Sequence, residues 1–122
     1  MFQTFGGGLL SAVLLALPDV AFILNTEGRY EDVYFSPINF RHLDSDRIKG
    51  RFLQDLVPPD LADRFLRLIR ETVSTGVPQS LEYSLRNPEG LRWYDARVTP
   101  VAGENGETPT RVVWLAREVT SH

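Results

Sequence analysis

The sequence predicts an α+β domain: a five-stranded antiparallel sheet with helices on one face, and a further helix flanking the N-terminus. Three observations carry that prediction. Apolar residues in 59–75 recur at helical spacing on one broad face. Three later runs, beginning near Ser80, Leu91 and Thr110, read as strands separated by turn-forming residues. Two further strand-like runs around Thr26-Glu27-Gly28 form a hairpin near the start.

With 122 residues the chain is one domain by length, large enough to bury a real core. Its 43% hydrophobic, 11% aromatic and 24% charged content is that of a folded protein and argues against disorder. The formal charge of −3 and the lack of a Lys/Arg cluster argue against nucleic acid as a partner. Cysteine is absent, which removes disulfides, thiolate metal sites and cysteine nucleophiles and fits a cytoplasmic setting.

The elements follow in order. Leu9, Leu10, Val13, Leu14 and Leu17 form one apolar stripe at helical spacing, and Pro18 breaks it. The run is too short to span a bilayer and has no early basic residue, so no membrane contact and no secretory signal are expected. Ala21-Phe22-Ile23-Leu24 reads as a buried strand, and residues 29–35 as its return strand. Residues 39–48 suggest short helices or turns.

Pro58-Pro59-Asp60 opens the strongest helix, since proline's missing N–H costs nothing in a first turn. Asp60 and Asp63 suit the positive end of its dipole. Leu61, Phe65, Leu68 and Thr72 mark one apolar face, Ala62, Leu66, Ile69 and Val73 the adjoining one, and Gly76 fits a left-handed cap. Leu81, Tyr83 and Leu85 alternate with polar residues, as do Tyr94, Ala96 and Val98 with Trp93, Asp95 and Arg97. The second set is assigned to the outer face, with Trp93 exposed there, and Pro100 is expected to fray its strand. Gly103-Glu104-Asn105-Gly106 is a loop before the last strand.

This order, with several local phrases, resembles the PAS domain, the small sensor module of signalling proteins. Leu17-Pro18-Asp19-Val20-Ala21-Phe22-Ile23-Leu24 looks like the family's lead-in to its first strand, and Thr26-Glu27-Gly28-Arg29 like its first turn. Ile48-Lys49-Gly50-Arg51 and Leu56-Val57-Pro58-Pro59-Asp60-Leu61 look like the approach to its long helix. Residues 76–83, Pro88-Glu89-Gly90-Leu91-Arg92-Trp93 and Arg117-Glu118-Val119-Thr120 complete a match over residues 9–120. The resemblance implies a PAS-like, profilin-like fold. It divides the chain into a flanking helix (1–17), the domain (18–120) and the start of an output linker (121–122).

The resemblance also implies sites. The pocket of such a domain would be lined here by Leu66, Ile69, Tyr83, Leu85, Tyr94, Ala96, Trp114 and Ala116, with core packing as the alternative reading. The N-terminal stripe (Leu9, Leu10, Val13, Leu14, Leu17) with Trp93 would serve homodimerisation, and Arg117, Glu118 and Thr120 would form the exit to an output domain of the same parent chain. Glu118 stands where the family usually has aspartate. Arg51-Phe52-Leu53-Gln54 resembles the flavin-photosensor signature, but without any cysteine that photocycle is excluded. Neither flavin nor haem is expected, because Leu85, Tyr94 and Ala116 are not amides and residues 59–75 hold no histidine. The two histidines, His42 and His122, read as solvated residues. The cofactor expectation is therefore none, or an unknown small molecule, with no metal.

No phosphate loop, His-Glu-x-x-His or Gly-x-Ser-x-Gly motif occurs, so no catalytic residue is assigned. The rival reading is a small isomerase-like enzyme with Asp95 as general base, which requires the inner and outer faces to be reversed so that Asp95 points into the helix-covered interior. The expectation is a sensing or relay module of a larger bacterial signalling protein, a histidine kinase or cyclic-dinucleotide enzyme.

Overall fold

In the computed structural model, which describes residues 8–9, 12–13, 19–35, 44–88 and 90–119, the last strand lies in the middle of the sheet. The strands are β1 (Val20–Asn25), β2 (Tyr30–Tyr34), β3 (Gln79–Asn87), β4 (Gly90–Val101) and β5 (Arg111–Val119). They pair in the order β2-β1-β5-β4-β3, every pair antiparallel. Between β2 and β3 run α1 (Ser45–Ile48), α2 (Leu53–Leu56) and α3 (Pro59–Thr75), and a 3-10 turn (Glu104–Gly106) precedes β5.

The β1–β2 turn is built by side chain and backbone together. The Asn25 Oδ1 accepts from the amides of Glu27 and Arg29, both at 3.0 Å, while Gly28 adopts φ 88°. The chain then returns to this hairpin: the Leu53 amide donates to the Gly28 carbonyl at 2.8 Å, and the Tyr30 amide to that of Arg51 at 2.8 Å. Arg29, expected in the return strand, instead bridges Phe52.

The long helix follows its sequence signals. Pro59 occupies its first turn, and Gly76 closes it in the left-handed conformation at φ 71°. Its fully buried stripe, Ala62, Phe65, Ile69 and Thr72, draws on both expected faces, with Leu61, Leu66, Leu68 and Val73 half-buried beside it. Arg64, Arg67, Arg70 and Glu71 are exposed. Thr72 is tolerated inside because its hydroxyl donates to the Leu68 carbonyl at 2.7 Å.

Alternation sorts the sheet into two faces. Tyr94, Ala96 and Val98 are buried against the helices with Val112, Trp114 and Ala116, whereas Asp95 and Arg97 are exposed on the opposite side. Two expectations need correction. Pro100 does not fray β4, which pairs with β5 through Val101. The reason is reach: β3 pairs with β4 only from Gly90 to Val98, so Pro100 has one neighbouring strand and occupies an edge position. Trp93 is half-buried rather than exposed, although it does fall on the outer face with Asp95.

Candidate functional site

Sheet alternation and helix periodicity together bring the expected pocket residues to one place. Ile69, Tyr83, Tyr94, Ala96, Trp114 and Ala116 are buried in the core cluster, and Leu66 and Leu85 pack half-buried against it. Trp114 is 2% exposed, the largest of the fully buried side chains. Register explains this placement: β5 is central, so Trp114 has Phe22 of β1 on one side and Val98 of β4 on the other. From above, Phe65 of α3 packs on the same group.

Rings dominate the geometry. Phe65 lies 4.5 Å from Trp114 and edge-on to Tyr83 at 4.8 Å, while Tyr83 stacks on Tyr94 at 5.6 Å. Such contacts contribute about 0.5–1.5 kcal/mol per pair beyond their burial. Within this apolar setting the indole Nε1 of Trp114 donates to the Tyr83 hydroxyl at 3.2 Å, giving the indole's one donor a partner. Phe65 was read from the sequence as helix face alone; its role in closing the ring cluster depends on Trp114, a strand residue far away in the chain.

Burial pushes the phenols of Tyr30 and Tyr83 well above their ordinary value, with the Trp114 bond pulling Tyr83 slightly back. The folded chain therefore holds these protons more tightly than the unfolded one, whose tyrosines ionise at about pH 10. Stability is intact below that pH and falls as pH rises above it. In an alkaline titration, the phenolate absorbance of Tyr30 and Tyr83 is expected to appear with loss of the fold. Ionisation of both at about pH 10 in a still-folded chain would contradict their burial.

Of the residues that the resemblance marks as an exit, Arg117 and Glu118 lie on the central strand. Glu118 pairs with Arg92 at 3.9 Å and Arg117 with Asp19 at 3.7 Å. Arg92 is 35% and Glu118 43% exposed, so solvent screens their attraction and geometry, not energy, is what the pair supplies. Thr120 lies outside the described residues. In the N-terminal stripe Leu9 and Val13 are exposed, at 54% and 49%, whereas Leu10, Leu14 and Leu17 lie outside the described residues, as do His42 and His122. Among the described residues no group of three or more His, Asp or Glu side chains could hold a metal.

Asp95 is exposed on the face away from the helices, so the base required by the isomerase reading meets water. It instead borders a cavity of about 380 Å³ on that outer face, with Asp19, Ser80, Arg97, Leu115 and Arg117. Asp19 was missed in the sequence, where it stands only within the lead-in to the first strand. It is 6% exposed because β5 runs beside β1, a neighbour no local pattern announces.

A family model described as PAS fold matches residues 14–122. The chain belongs to the PAS family. A PAS domain is a sensory module, generally without catalysis of its own, and the sheet and helices described above are its fold. Solved structures agree. The PAS domain of the Cronobacter turicensis quorum-sensing receptor RpfR, in complex with BDSF, is 17% identical with a TM-score of 0.67 over 85% of this chain and 96% of its own. A sensory box sensor histidine kinase from Vibrio cholerae is 18% identical with a TM-score of 0.65, covering 98% and 96%. The Vibrio cholerae VqmA–ligand–DNA complex is 13% identical with a TM-score of 0.74 over 90% of this chain, which spans 50% of that one. At these identities the likeness is one of fold. A comparison with curated protein sequences finds no match. Among the described residues, no helix is long and apolar enough to cross a membrane.

Proposed function

We propose that this PAS domain senses or relays a signal within a larger cytoplasmic bacterial protein, a histidine kinase or a cyclic-dinucleotide enzyme, and does so as a homodimer. The observation that carries the reading is the family match, together with the position of Trp114 on the strand that continues into Arg117 and Glu118. A small molecule seated among Leu66, Ile69, Tyr83, Leu85, Tyr94, Ala96, Trp114 and Ala116 would have to displace rings that now touch. Displacing them would shift β5 and, with it, the Arg92–Glu118 pair, whose Glu118 lies four residues beyond Trp114 on the same strand. Dimer contact through Leu9, Leu10, Val13, Leu14, Leu17 and Trp93 would bear on the sheet at Trp93, which lies on its outer face.

The kinase and RpfR likenesses support a sensory role with a small-molecule signal. VqmA is named in complex with DNA, so a DNA-binding output is the competing assignment for the parent chain. Glu118→Ala in the full-length parent is expected to uncouple output from signal while leaving the fold intact. Output identical to wild type would remove the exit role. Native mass spectrometry of the purified chain tests the rest, with a retained small molecule or a dimer expected and a bare monomer counting against both.

A further inference from the structure

We propose that the outer face of the sheet carries a second ligand site, specific for a small zwitterion of the free amino-acid class. Its floor is set by register. Asp95 of β4 and Arg117 of β5 are direct cross-strand partners, a position that places Cβ atoms about 4.5–5.5 Å apart. Ser80 of β3 faces Arg97 of β4 in the adjoining row. Asp19, one residue before β1, reaches Arg117 from the other side. The solvent-open cavity of about 380 Å³ bordered by these groups thus presents two carboxylates, two guanidiniums and a hydroxyl, with Ala96 and Leu115 completing its lining.

Asp19 marks this as more than a solvated charge ladder. Its side chain is 8% exposed, it lines the cavity, and its Oδ1 accepts no hydrogen bond. The Arg117 Nε stands 3.7 Å away, an ion pair beyond hydrogen-bond reach. A buried carboxylate oxygen without a donor is a costly arrangement that a ligand N–H can relieve. The partner beside it is movable: the Arg117 side chain is 71% exposed, and among the described residues its ion pair is with Asp19. Swinging it outward opens Asp19 to an ammonium group, with Asp95 as the second acceptor. Arg97 and the released Arg117 are then free to donate to a carboxylate. The formal charges of the lining cancel, so a neutral molecule bearing both signs is matched where a simple cation or anion meets one attraction and one repulsion.

This site does not depend on the relay reading, because occupancy is read on the chain itself. The labelled 122-residue chain would be titrated with alanine, serine and glutamine, and with ethylammonium and acetate as single-charge controls, while amide NMR shifts are followed. At least one zwitterion is expected to shift Ser80, Asp95, Arg97 and Arg117 with an affinity at least about tenfold above either control. Asp95→Asn and Arg97→Gln, at exposed positions that spare the core, are each expected to weaken binding by about tenfold or more. No shifts from any zwitterion at about 10 mM, an equal response to a single-charge control, or undiminished binding in both variants would overturn the assignment.

Discussion

Trp114→Ala is expected to destabilise the domain by about 3–5 kcal/mol, the largest loss at any expected pocket position. The indole is 2% exposed and touches Phe65 at 4.5 Å and Tyr83 at 6.1 Å between ring centroids. Truncation would remove those contacts, leave a void that the neighbouring strands cannot collapse into, and strip Tyr83 of its donor. Denaturant unfolding would show the loss as a lower midpoint at unchanged slope. Trp114→Phe separates the two contributions: it keeps most of the apolar volume and loses the Nε1–H, so a cost near 1 kcal/mol is expected from the hydrogen bond. If alanine cost no more than phenylalanine, Trp114 would not be filling the core. The same variant bears on the proposed sensing role. An alanine that opened space without unfolding the chain should admit small apolar molecules, as dry cavities of that size do.

What the sequence showed depended on how local each signal is. The long helix was legible because its apolar positions, its first-turn proline and Gly76 all lie within one short stretch. The inner faces of β3 and β4 were legible for the same reason, since strict alternation sorts Tyr83, Tyr94, Ala96 and Val98 inward without knowledge of the neighbours. Pro100 was misread because its tolerance depends on where β3 stops pairing, which is a property of another strand. Asp19 was missed because the strand that buries it comes at the far end of the chain. Trp93 was placed on the correct face but not at its depth, since alternation assigns a side and burial needs the neighbours. Phe65 fell between these cases: its inward direction was visible, but not that it meets Trp114.

The β1–β2 turn yields the second large effect. Gly28→Ala is expected to cost about 2–5 kcal/mol, because two separate penalties apply at one position. At φ 88° an L side chain is strained, at about 1–2 kcal/mol. A Cβ there would also stand 2.9 Å from Leu66 Cδ2 and 3.1 Å from Leu53 Cγ, besides 2.7 Å from Gln54 Oε1. Gln54 is exposed and can turn aside, losing its 3.1 Å bond to the Glu27 carbonyl. Leu53 is fully buried and held by the hydrogen bond its amide donates to the Gly28 carbonyl, so it cannot. Overpacking of that kind adds about 1–3 kcal/mol. Gly76 supplies the control: its φ is 71°, yet nothing lies within 4 Å of a Cβ placed there. Gly76→Ala should therefore show the strain without the clash. Equal losses at the two glycines would mean that α2 and α3 do not press on the turn. A larger loss at Gly28 would mean that the turn is clamped from above, so that β1, paired with β5 along its whole length, is anchored at the end where β5 begins.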